Sequence, residues 1–183
     1  MLSNSFSKIL EQLLLGNKRF VKNNSIHPRE SPRRRKEIAD HQKPKAVVIN
    51  CSDSHVAPEI IFDQGLGDLF VIRTAGIVLD RAGMASVEYA VLKLNTRLVV
   101  ILGHENCGAM HAAAHVEKYP GHIPYLVKIL TPAVEKAKKL SGNLVNNAVK
   151  IDVKMVVEKL KINSLIKKLV QKKDRNKCRL IMK

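Results

Sequence analysis

"AVVINCSDSH" (residues 46–55) and "RLVVILGHENC" (residues 97–107) are two apolar, β-branched runs that each end abruptly in reactive side chains. Together with "LFVIR" (69–73) they are nearly continuous in apolarity, as strands covered on both faces must be. Helix-length segments, "PEIIFDQ" and "GMASVEYAVLKLN", lie between them. Strands alternating with helices predict an α/β fold with a central, mostly parallel sheet flanked by helices. Ligands of such sheets bind beyond the carboxyl ends of the strands, where the strand order reverses. With the first and third strands as neighbours, in the order 2-1-3-4, Cys51, Asp53, His104 and Cys107 meet in one crevice.

The flanks follow from periodicity. In residues 3–22, Phe6, Ile9, Leu10, Leu13, Leu14 and Phe20 recur at helical spacing and predict an amphipathic arm. Ser31 and Pro32 form an N-cap and first-turn pair for a short helix carrying "RRRKEIADH", whose charge run reads as a solvated face. Helices are expected from 107, over 122–140 and over 143–170, and "CRLIM" (178–182) reads as a last strand with Cys178 in its core. The expected layout is one domain over 1–183, with an N-terminal helical arm (1–45), a core (46–120) and C-terminal helices with a truncated last strand (121–183).

A chain of 183 residues with 45% hydrophobic and 26% charged side chains is globular in composition. Its formal charge of +16 suggests nucleic acid until it is divided along the chain. Residues 46–127 hold 5 Lys and Arg against 8 Asp and Glu, whereas residues 128–183 hold 16 against 4. The motif-bearing middle is therefore slightly acidic, and with aromatics at 4% and no Trp the composition argues against nucleic acid as the main partner. Three cysteines without a leader argue for reduced thiols and a cytoplasmic protein, and no apolar stretch is long enough to span a membrane.

Two thiolates and an imidazole suit Zn2+ rather than magnesium or calcium, and three protein ligands leave one coordination position for chemistry. Taken alone, H-x-x-C is a weak signal, and a buried Cys51 or a core His104 is the better reading of it. Its pairing with a second cysteine at another strand end is what points to a metal.

These motifs, with "GNKRF" (16–20), "SVEYAV" (86–91) and "GHENCGAMHAA" (103–113), resemble the β-class carbonic anhydrases, whose pattern is C-x-D-S-R followed by H-x-x-C. The resemblance implies one zinc per chain on Cys51, His104 and Cys107. Asp53 would fill the fourth position or swing away to admit water, acidified by the metal for attack on carbon dioxide to give bicarbonate. It further implies that Gln42 lines the pocket from the neighbouring subunit, that Phe70 and Tyr89 form the apolar wall for the substrate, and that the backbone from Gly108 favours developing negative charge. Family members are dimers or dimers of dimers whose N-terminal helices embrace the partner.

His55 departs from the family arginine, a permanently charged fork that holds the aspartate off the metal. Histidine carries that charge only on the acid side of neutrality. Reduced or pH-dependent hydration activity is the consequence, and a structural site in which His55 itself binds the metal is the variant reading. Ile77 stands where the family has asparagine, the C-terminus stops short of a further edge strand, and without Trp the noncatalytic bicarbonate site of some members is not expected. Two rivals come from other classes. One is an inactive zinc-stabilised protein whose basic flanks engage an acidic partner or nucleic acid, and the other is a cysteine hydrolase using Cys51 with His104 as base. Carbonyl sulfide and carbon disulfide remain alternative substrates.

Overall fold

In a computed structural model, residues 4–115, 118–171 and 180–182 are described. The elements are α1 (Asn4–Val21), α2 (Pro32–Ala39), β1 (Ala46–Cys51), α3 (Pro58–Ile61), β2 (Leu69–Thr74), a 3-10 turn (Ala75–Ile77), α4 (Arg81–Leu92), β3 (Leu98–Leu102), α5 (Gly108–Ala114), α6 (Ile123–Ala137), α7 (Leu144–Ile162), α8 (Ser164–Gln171) and β4 (Leu180–Met182). The strands form a parallel sheet in the order β2-β1-β3-β4. Among the described residues no helix is long and apolar enough to cross a membrane.

Central β1 and β3 are buried along their whole length, whereas β2, at the edge, is buried only at every third residue. The strand period of two divides their side chains between two layers. Val47, Ile49 and Cys51, with Val99 and Ile101, pack with Val87, Leu130, Val134 and Val153 of the helices on one face. Ala46, Val48, Leu98, Val100 and Leu102 pack on the other face with Leu13 of α1 and Phe62. The motif residues after Cys51 and Leu102 are thereby held at one end of two adjacent, rigid strands.

Several boundaries differ from the expectation. The helix expected over "PEIIFDQ" is only the four-residue α3. α4 starts at Arg81 because the Asp80 carboxylate accepts from Gly83 N–H at 2.9 Å. The long helix expected over 143–170 is two helices, divided at Asn163. Asn163 leaves helical backbone (ψ 123), its Oδ1 accepts from the N–H groups of Leu165 and Ile166 at 3.0 Å, and its Nδ2 donates to Glu88 at 2.9 Å. A side chain that caps a new helix and ties it to α4 outweighs unbroken propensity. Phe20, expected on the apolar face of α1, is exposed. α1 crosses the end of α3 at Gly16, where a Cβ would stand 1.7 Å from the Phe62 carbonyl oxygen, and beyond this crossing the contacts are polar. The Ser31 cap is present, accepting from Arg34 N–H at 3.1 Å, and α2 buries no residue. Cys178 lies outside the described residues.

Candidate metal centre

Cys51 is the last residue of β1, His104 follows β3 by two residues, and Cys107 is the N-cap of α5. Because β1 and β3 are hydrogen-bonded neighbours, these separate stretches meet. The two Sγ atoms are 3.9 Å apart, and the two sulfurs and an imidazole nitrogen all lie within 4.8 Å of one another. Two sulfurs bound at about 2.3 Å to one tetrahedral ion stand about 3.8 Å apart. His104 Nδ1 donates to the Glu105 carbonyl oxygen at 2.9 Å, so its lone pair is on Nε2, and Nε2 is buried with no hydrogen-bond partner. A buried, partnerless nitrogen beside two facing sulfurs fits a metal ion as the missing partner.

The 3.9 Å contact couples the two thiols. Cys51 is pushed down by the hydrogen bond from Cys107 and, against the cost of burial, by the Gly76 N–H at 3.4 Å. Cys107 is pushed up by the same hydrogen bond and by burial. Gly76 reaches the sulfur through left-handed backbone (φ 70), and a Cβ there would stand 2.6 Å from Leu130 Cδ1, so this close approach requires glycine. The next residue, Ile77, is also left-handed (φ 61), a strained conformation for a β-branched side chain.

Asp53 and His55 stand at the rim. His55 Nδ1 is 2.6 Å from Asp53 Oδ1, and this hydrogen bond holds the carboxyl below the usual carboxylate range. The His55 ring meets His104 edge to face, with centroids 4.8 Å apart. Asp53, His55 and His104 also place donor atoms within 4.8 Å of one another, but His55 Nδ1 is turned to the carboxylate. Gly108 opens α5 with free space where a Cβ would project.

Three predicted residues are elsewhere in the chain. Phe70 pairs with Val47, four positions before the Cys51–Thr74 pair, about 13 Å along the strand. Its ring lies 6.3 Å from that of half-exposed Tyr89, and exposed Gln42 precedes β1 at the same end. The chain does not bring Gln42, Phe70 or Tyr89 to its own Cys51.

Arg73 and Asn50 were missed by sequence reasoning. Arg73 donates from Nε to the Cys51 carbonyl at 3.0 Å and from a terminal nitrogen to the Asp53 carbonyl at 2.6 Å, fixing a thiol-bearing residue relative to the rim carboxylate. Fully buried Asn50 donates to the carbonyls of Cys51 and Val56. Their one signal is a polar residue ending an apolar strand, which by itself reads as a strand terminus.

A family model described as carbonic anhydrase matches residues 46–181. Carbonic anhydrase 2 of Mycobacterium tuberculosis is 57% identical over 98 residues, 54% of this chain and 47% of that protein, so the chain aligns with about half the length of that relative. A carbonic anhydrase of Mycolicibacterium smegmatis is 41% identical over 153 residues, 81% of this chain and 74% of the relative. Among solved structures, CafA, a β-carbonic anhydrase of Aspergillus fumigatus, superposes with a TM-score of 0.73 at 26% identity, covering 92% and 83% of the two chains. One of two tetrameric β-carbonic anhydrases of Sordaria macrospora gives 0.73 at 21% identity, covering 92% and 88%. With its paired thiols and orphaned imidazole at adjacent strand ends, the chain belongs to the β-class carbonic anhydrase family.

Proposed function

We propose that the protein binds one Zn2+ through Cys51, His104 and Cys107 and catalyses the reversible hydration of carbon dioxide to bicarbonate and a proton. The observation that carries this reading is the convergence of two buried sulfurs and one partnerless imidazole nitrogen, a donor set that favours zinc. Bound there, the ion supplies Lewis acidity that makes water nucleophilic near neutral pH. The cysteines would hold the ion as thiolates, so any thiol proton leaves as the ion is taken up.

The remaining work falls to the rim. Asp53 accepts from His55 Nδ1, a bond that would hold its carboxylate off a bound ion, while Arg73 fixes the Asp53 backbone so that only the carboxylate would move. Imidazole grips a carboxylate with one donor where a guanidinium uses two, so Asp53 returns to the closed position more often and activity is reduced and pH-dependent. Gln42, Phe70 and Tyr89 complete the pocket of a second subunit, so the working unit is a homodimer or a dimer of dimers in the cytoplasm. Their distance from the chain's own Cys51 and the half-exposed Tyr89 support this arrangement.

Elemental analysis and stopped-flow hydration between pH 6.5 and 9 test the reading together. One zinc per chain is expected, with measurable hydration that falls to the buffer rate in Cys107→Ser and rises several-fold in His55→Arg. Zinc-loaded wild type that hydrates no faster than buffer would overturn it, and equal rates for wild type and His55→Arg would overturn the account of the rim.

A further inference from the structure

A second pair of imidazoles in contact lies outside the metal centre. His111 and His115 are both exposed, and their rings are stacked with centroids 4.0 Å apart, 21° from parallel. Positions four apart at the end of α5 share a face, so the contact follows from helix geometry. His115 Nδ1 donates to the His111 carbonyl oxygen at 2.9 Å, which places the His115 lone pair on Nε2, the arrangement that metal-binding histidines adopt. No group of three donor atoms within 4.8 Å includes either residue among those described. The described residues therefore offer two nitrogens there.

We propose that His111 and His115 form a second, solvent-exposed chelate for a divalent transition ion, separate from the site of Cys51, His104 and Cys107. Two imidazoles select nickel, copper or zinc over magnesium and calcium, with copper(II) bound most tightly. Chelation requires the two rings to turn from this stacked arrangement until an outer nitrogen of each faces the ion. An ion held across these positions also ties down the last turn of α5, where the chain leaves helical backbone at His115 (ψ 120).

The test is calorimetric titration of Ni2+, which does not oxidise thiols, into zinc-loaded full-length protein, with elemental analysis of zinc before and after. One further nickel per chain is expected with zinc retained, and His111→Ala and His115→Ala each weaken nickel binding at least about tenfold. A His122→Ala control leaves the titration unchanged. Absence of nickel binding, nickel that replaces zinc one for one, or affinity unaltered in both alanine variants would overturn the proposal. The readout does not depend on hydration activity, so it fails or succeeds independently of the proposed reaction.

Discussion

The two ends of the sheet treat buried polar groups in opposite ways. At the end where β1 and β2 begin, Asp63 and Asp68 are buried and surrounded by donors. Asp63 accepts from Arg19 at 2.5 Å and from the N–H groups of Ile26 and His27, and Asp68 from Arg29, Lys45 and the Gly65 N–H. These bonds clasp the link after α1, which carries His27 and Arg29 in left-handed backbone, to the core. At the end where β1 and β3 finish, two sulfurs face one another and His104 Nε2 has no partner. A cluster of buried carboxylates ringed by donors is complete as structure. One whose lone pairs converge on nothing is complete only with a ligand.

The largest expected effect strikes the satisfied end. Asp63→Ala removes the partner of a guanidinium and strands two backbone N–H groups, a loss of about 3 kcal/mol in urea unfolding. Burial pushes the Asp63 carboxyl up, but Arg19 and the two N–H groups outweigh it and hold it below the usual range; Asp68 is held low in the same way by Arg29 and Gly65. A depressed folded-state pKa means that this stability is present above the unfolded value near 3.8 and is lost as pH falls through the lower folded value. The amides of Ile26 and His27 should therefore lose hydrogen-exchange protection first on acidification, and Asp63→Ala should flatten that acid limb. A variant as stable as wild type at pH 7 would mean that the clasp is ornamental.

Asp152 belongs to neither end and sharpens the contrast. It is buried on α7, its Oδ2 has no partner, and burial pushes its pKa up to about 7, with Lys159 opposing. A raised folded-state pKa reverses the sign: its contribution is intact below pH 4 and is lost as pH rises through 7. Asp152→Asn should gain about 2 kcal/mol at pH 8 and nothing at pH 4, read from paired urea curves. Equal curves at both values would mean that water reaches the carboxylate.

How much of this was legible in the sequence depended on how local each signal is. β1 and β3 announce themselves by uninterrupted β-branched residues, and Cys51, His104 and Cys107 mark the cluster of facing donor atoms because strand ends are local features. The clasp was not legible, because Arg19 and Asp63 are 44 residues apart and a buried carboxylate looks like any surface acid until its donors are in place. Arg73 was hidden for the same reason, since its acceptors are backbone carbonyls with no sequence signature. The break at Asn163 was missed because its cause is a tie to Glu88, which helical periodicity does not register.

The smallest expected effect is spectroscopic and concerns the open end alone. In metal-free protein at pH 7, with Cys178→Ala as background, Cys51 and Cys107 should together absorb at 240 nm as one thiolate, because the hydrogen bond between them stabilises Cys51 as the anion and keeps Cys107 neutral. Cys51→Ala removes the anion and leaves Cys107 a lone buried thiol, so the band should vanish. Cys107→Ala removes the largest stabilising hydrogen bond but spares the Gly76 N–H, so the band should weaken and persist. The asymmetry between the two variants is the informative quantity. Equal absorbance from both would mean that the sulfurs titrate independently, and an end of the sheet whose groups ignore one another would have no more claim to a shared ion than the saturated end has.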